Sequence, residues 1–382
     1  NRTYRSQVDD QGESMAKQSG LSVMLHTLQA LVECESPTSD LESAYTVTAL
    51  AKELSSGWLP GESRIEVHGG RPVWRWGPHQ PEILLLGHLD TVWPIGTLES
   101  IPFAINGDHL TGPGVFDMKA GVVQGWAAIK ESGITDASGV GMLLTTDEET
   151  GSHASREVIS QAITNAKAVI VLEPSLNGAL KTRRKGTSNY FMRFHGVASH
   201  AGLDPDRGVN SLMAAAEFIL ATQQWGSKEL ETSVTPTVSK SGTTTNTVPD
   251  LAEVHVDVRA WDRTEQERID QVVRGFTSTL PVEIEIIGGI DRPAMEAAMS
   301  AELFTLAQHL NRKLGYPDLT ECAVGGASDG NLTAAAGILT IDGMGAAGDG
   351  AHADFEWASA SAMPHRAELL EKMLIELIAE NY

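Results

Sequence analysis

The stretch ILLLGHLD, Ile83 to Asp90, is an apolar run that stops abruptly at His88 and Asp90. A short unbroken apolar run ending in polar residues is the pattern of a strand covered on both faces. The pattern recurs in GVGMLLTTDEE and again in AKAVIVLEPS. Between the first two, MKAGVVQGWAAIKESG (Met118 to Gly133) carries apolar residues at helical spacing and ends in glycine. Strands alternating with helices predict an α/β fold, a mostly parallel sheet flanked by helices. Upstream, Gly20 to Leu59 has helical spacing interrupted by SPTSD, which reads as a loop and helix cap.

After LNGALKTRRKG the texture changes. SNYFMRFHGV and LAEVHVDVRAW alternate like two-faced strands, NSLMAAAEFILATQQW and TEQERIDQVVRGFTSTL read as helices, and PVEIEIIGG closes as a strand. A β-α-β-β-α-β order predicts a compact α+β unit inserted in the larger domain. The expected division is a larger domain over residues 1–184, an inserted α+β domain over 185–289, and the rest of the larger domain over 290–382. GILTIDGMG in the last part reads as another short buried strand.

The chain has 382 residues and a formal charge of −22, which disfavours nucleic acid and anionic membranes as partners. Its two cysteines, Cys34 and Cys322, form no CxxC pair, so neither a disulfide framework nor a thiolate metal site is expected. No apolar run approaches the length of a membrane span. The polar N-terminus NRTYRSQVDDQGES lacks the apolar core of a signal peptide, making the cytoplasm the default expectation, with a removed leader left open.

Open α/β sheets place their sites at the carboxyl ends of strands. There the sequence delivers His88 and Asp90, then Glu148 and Glu149, then Glu173, with Asp117 before a helix and His352 in a small-residue loop. Imidazole and carboxylate without thiolate suit two zinc ions, with cobalt or manganese as substitutes. Three carboxylates and a bridging hydroxide would balance the four charges of two such ions. Asp90, two residues from His88, fits a carboxylate that fixes the imidazole tautomer.

HLDTVWPIGTLESIPF, GPGVFDMKAG, TTDEETGS, VLEPS, GVASHAG and GAHADFEW together resemble the dizinc aminoacylase/carboxypeptidase family of metallopeptidases. The likeness is greatest to the carboxypeptidase G branch, the glutamate carboxypeptidases. It implies one metal on His88, Asp117 and Glu173, and a second on Asp117, Glu149 and His352, with Asp117 bridging. It makes Glu148 the general base and Asp90 the partner of His88, and implies a cis peptide between Asp117 and Met118. His200 would stabilise an oxyanion in the neighbouring subunit's site, within a homodimer formed by the inserted domain. Asn246 and Arg259 would bind the substrate's terminal carboxylate, with Gly326 and Ser328 in the substrate loop GGASDGN. Two departures stand out: Met118 where many relatives carry Asp, and Ser328 where Thr is usual. Asp147 has no assigned role.

The expected activity is release of a C-terminal amino acid, glutamate first among candidates, from a peptide or N-acyl conjugate. An N-acyl-amino-acid amidohydrolase, a dipeptidase of other specificity, and a catalytically silent peptide-binding relative are the alternatives.

Overall fold

The computed structural model describes residues 20–379; the polar N-terminal stretch read above lies outside them. The described residues divide into two compact units, one of residues 20–182, 297–323 and 328–379, the other of 183–296 and 324–327.

The first unit is built on a six-stranded sheet in the order Arg64–His68, Arg71–Trp76, Val140–Thr145, Ile83–His88, Ala168–Val171 and Leu339–Ile341. Its last four strands run parallel, and the first two form an antiparallel hairpin at one edge. Alternate residues of the parallel strands go to opposite faces. Leu85, Met142, Leu144 and Ile170 pack with Trp126 and the C-terminal helix residues Leu370 and Leu374. Leu84, Leu86, Leu143 and Val169 pack with Val158 and Ile159 of the helix Arg156–Ala162. Both faces are covered, which is why these strands read as unbroken apolar runs.

The helices follow their sequence signals. Residues 20–33 and Leu41–Ser55 are helical, and Asp40 caps the second through its side chain, accepting the N–H of Glu42. The helix Ala120–Ser132 ends at Gly133 in the left-handed conformation. No helix among the described residues is long and apolar enough to cross a membrane.

The second unit is a four-stranded antiparallel sheet in the order Ser233–Ser241, Leu251–Ala260, Gly186–His195, Glu283–Arg292. Tyr190, Met192, Phe194, Val254, Val256 and Val258 face the helices Ser211–Thr222 and Arg263–Arg274 through Phe218, Ile269 and Val273. The last strand continues through Gly289 to Arg292. The edge strand Ser233–Ser241 contains Pro236 beside a register shift, a residue tolerated there because an edge has a side without ladder bonds.

Candidate metal centre

Register brings three chain segments to one rim of the central sheet. His88 pairs with Thr145, so the turn after Thr145 lies beside it, and Leu86 pairs with Val171, two residues before Glu173. His88 is buried, with Nδ1 2.9 Å from the backbone oxygen of Asp90. A carbonyl only accepts, so Nδ1 carries a proton and Nε2 is the ring nitrogen left to face the rim. Nε2 lies 3.4 Å from both Oδ1 of Asp117 and Oε1 of Glu173. Gly87 makes room for Met118, whose Cε would lie 2.7 Å from a Cβ at that position, and whose sulfur accepts the N–H of His88.

Asp117 sits in the tight turn Val115–Lys119, entered through Gly114 in the left-handed conformation. The peptide bond between Asp117 and Met118 is cis. While Oδ1 of Asp117 faces His88, Oδ2 lies 3.3 Å from Nε2 of His352. The same His352 nitrogen is 3.0 Å from Oε2 of Glu149. His352 belongs to the connection between the antiparallel strands Gly348–Asp349 and Trp357–Ser359, and adopts a positive φ of 63°.

Electrostatics mark this rim as short of positive charge. Burial opposes charging of His88, yet Asp117 and Glu173 hold its pKa well above the usual value. The Asp117 and Glu149 carboxylates push His352 up to about 10. Burial, reinforced by the charge of Asp117, pushes Glu149 up to about 7. For Asp117, burial also works against ionisation, but the two imidazoles beside it, His352 and His88, hold it well below the carboxylate range. Each imidazole thus draws in a proton where a metal cation would serve.

The donors fit such an ion. His88 Nε2 and Asp117 Oδ1 are buried without hydrogen-bond partners. Two donors bound at about 2.0–2.1 Å to a tetrahedral zinc lie roughly 3.3 Å apart. The contacts of 3.4, 3.4, 3.3 and 3.0 Å around His88 and His352 match that spacing. Donor atoms of His88, Asp117 and Glu149 all lie within 4.8 Å of one another, as do those of His88, Glu148 and Glu173.

Asp90 differs from the expected relay. Its backbone oxygen, not its carboxylate, makes the short contact to His88; the carboxylate is 3.5 Å from Nδ1. That carboxylate instead accepts the Thr38 hydroxyl at 2.7 Å and the backbone N–H groups of Glu148 and Glu149 at 3.3 and 3.2 Å. Asp90 therefore fixes the turn that carries both glutamates. Asp147, unassigned from sequence, accepts the N–H groups of Ala154 and Ser155 and the Ser155 hydroxyl, closing the loop into the helix Arg156–Ala162.

Two buried charges escaped the sequence reading. Glu356 accepts four hydrogen bonds, from N–H of Gly114, Phe116 and Asp117 and from the Trp93 indole. Lys119 donates to the Cys34 carbonyl, and burial pushes its pKa down to about 8. The available signal was an acid and a base inside otherwise apolar or small-residue motifs.

In the second unit, Ser199–His200 pairs with Thr247–Val248, and Ala201 N–H donates to the Asn246 carbonyl, so His200 and Asn246 are neighbours. Nδ1 of His200 accepts the N–H groups of Gly202 and Leu203, which leaves the ring proton on Nε2. Arg259 lies on the sheet face away from the helices and forms a fork with Asp257, Nε and Nη2 each 2.9 Å from a carboxylate oxygen. Gly326 is exposed, its carbonyl accepting from Arg184. Ser328, of the first unit, is fully buried. It caps the helix Asp329–Ala335 and donates to Asp342, so its hydroxyl is committed to the fold rather than turned to solvent.

Comparison with known proteins gives a family match. The model of peptidase family M20/M25/M40 matches residues 84–376. Carboxypeptidase G2 of Pseudomonas sp. (strain RS-16) is 29% identical, over 93% of this chain and 89% of that one. The M20 family metallo-carboxypeptidase Sso-CP2 from Sulfolobus solfataricus superposes with a TM-score of 0.69 at 16% identity, over 94% of this chain and 99% of that one. The Bacillus subtilis YXEP protein, a dinuclear metal-binding peptidase of the M20 family, superposes with a TM-score of 0.64 at 14% identity, over 95% and 99%.

Proposed function

Because the chain belongs to peptidase family M20/M25/M40 and is a metal-dependent hydrolase of that family, we propose that it binds two zinc ions and releases a C-terminal amino acid, with glutamate the leading candidate, from a peptide or N-acyl conjugate. The observation that carries the metal assignment is the pair of donor groups sharing Asp117: His88, Asp117 and Glu173 on one side, Asp117, Glu149 and His352 on the other. The preference for glutamate rests on the likeness of the motifs to the glutamate carboxypeptidases.

Bound ions would polarise the scissile carbonyl and ease deprotonation of the attacking water. Glu148 takes that proton and delivers it to the leaving amine nitrogen. Asp90, through the N–H groups of Glu148 and Glu149, keeps the base and its neighbouring ligand in register. His200, with its proton on Nε2, donates to the oxyanion. Asn246, Arg259 and the exposed backbone at Gly326 receive the substrate's terminal carboxylate.

Gently purified protein is expected to contain close to two metal ions per chain by elemental analysis, and chelation is expected to abolish hydrolysis. A metal-free preparation with full activity would end the assignment. A panel of N-acyl amino acids and dipeptides, varied at the C-terminal residue, separates the carboxypeptidase reading from an amidohydrolase or dipeptidase of other preference.

The homodimer reading is supported by exposed Leu212, Met213 and Leu220 on the helix Ser211–Thr222, and by exposed Val238 on the neighbouring edge strand. If His200 serves the partner subunit, mixing a His200→Ala chain with a Glu148→Ala chain is expected to restore activity. One site in each heterodimer then holds both groups. Inactive heterodimers, verified to have exchanged subunits, would assign His200 to its own subunit's site or outside catalysis.

A further inference from the structure

We propose that Glu356 is a positioning residue for the metal centre, acting through the backbone that carries the shared ligand Asp117. The proposal rests on the metal reading above. Glu356 is 1% exposed, and a carboxylate that deeply buried persists only if its oxygens are satisfied. They are. Oε1 accepts the N–H groups of Phe116 and Asp117 at 2.9 and 3.0 Å, and Oε2 accepts the Gly114 N–H and the Trp93 indole at 3.1 and 2.7 Å.

What these donors belong to decides the role. Three of the four lie in the segment Gly114 to Asp117, which enters and forms the turn carrying Asp117, whose two oxygens face His88 and His352. The fourth, Trp93, follows Asp90 by three residues, so the segment after His88 is tied to the same anion. Glu356 itself follows His352 by four residues, and the loop between them is closed by Ala353 N–H to Gly350 and Glu356 N–H to Ala353. One carboxylate therefore joins the three segments carrying His88, Asp117 and His352. A glutamine of the same shape cannot do this: its nitrogen would present donors to donors on one side.

The test is metal affinity, measured by competition with a chromophoric chelator, together with the visible spectrum of the Co²⁺-loaded protein. Loss of a group that orients a ligand costs on the order of 10–100-fold in affinity. Glu356→Gln is expected to weaken the looser ion by about that factor, alter the Co²⁺ spectrum at saturation, and lower kcat with little change in KM. Trp93→Phe, which removes one donor and keeps the carboxylate, is expected to move affinity the same way but less, and stands in should the glutamine variant fail to fold. If the variants only melt at lower temperature, with unchanged affinity and spectrum, Glu356 is a core residue and the proposal is overturned. If the unaltered protein takes up no pair of ions, the metal reading itself falls, and this inference with it.

Discussion

Glu148→Gln and Glu148→Ala are expected to leave close to two metal ions per chain while kcat falls by about two orders of magnitude or more, the scale of a lost general base. The neighbouring change, Glu149→Ala, is expected to lose metal instead. The division follows from where the two side chains go. Glu149 lies 3.0 Å from His352 Nε2, within the group that includes Asp117. Glu148 is buried, with a donor atom near His88 and Glu173. That nearness also makes Glu148 a possible ligand, and metal content decides between the roles. A base replaced by an amide loses proton transfer but little binding, whereas a ligand lost takes its ion with it. Should both substitutions empty the site alike, or both leave it full, the assignment of roles within Asp147-Glu148-Glu149 would be wrong.

Much of the centre was legible because strand ends are punctuated. An apolar run buried on both faces must stop where polar side chains begin, so His88, Glu148, Glu149 and Glu173 announce themselves. The two-faced strands of the second unit were equally plain, since Leu251–Ala260 buries every other residue. The edge hairpin Arg64–His68 and Arg71–Trp76 was missed, although Gly69 and Gly70 form its two-residue turn. Its arginines disguise a buried strand: Arg75 is covered, and its charge is met by Glu66.

The rest was hidden because it depends on side chains reaching backbone far away in sequence. Nothing in HLD says that the Asp90 carboxylate will hold N–H groups 58 and 59 residues on while its carbonyl holds the imidazole. Nothing in ADFEW says that Glu356 will collect N–H groups about 240 residues earlier. Ser328 was placed in the substrate loop by resemblance alone, and what the loop sequence did not announce is that its side chain, three residues before Asn331, forms a capping box and turns inward.

Arg259→Ala is expected to lower kcat/KM on free-acid substrates on the order of 100-fold, while an amidated C-terminus, already poor for the unaltered enzyme, loses little further. A charge-assisted contact to a carboxylate that strengthens in the transition state is worth about 3 kcal/mol, which sets that scale. Arg259 is equipped for the task in a specific way. Asp257 engages Nε and Nη2 with both carboxylate oxygens, which orients the guanidinium plane and leaves Nη1 outside that fork. The pair is partly exposed on the sheet face that the helices do not cover, so a carboxylate can approach. Arg259→Lys is expected to recover only part of the loss, because a point charge cannot be held by Asp257 and still present a planar fork. Folding damage would depress acid and amide substrates together, so the ratio between them isolates recognition. Equal turnover of acid and amide forms by the unaltered enzyme would overturn the carboxypeptidase assignment and leave the proposed metal centre standing, since the proposed ligands His88, Asp117, Glu149, Glu173 and His352 do not depend on how the far end of the substrate is held.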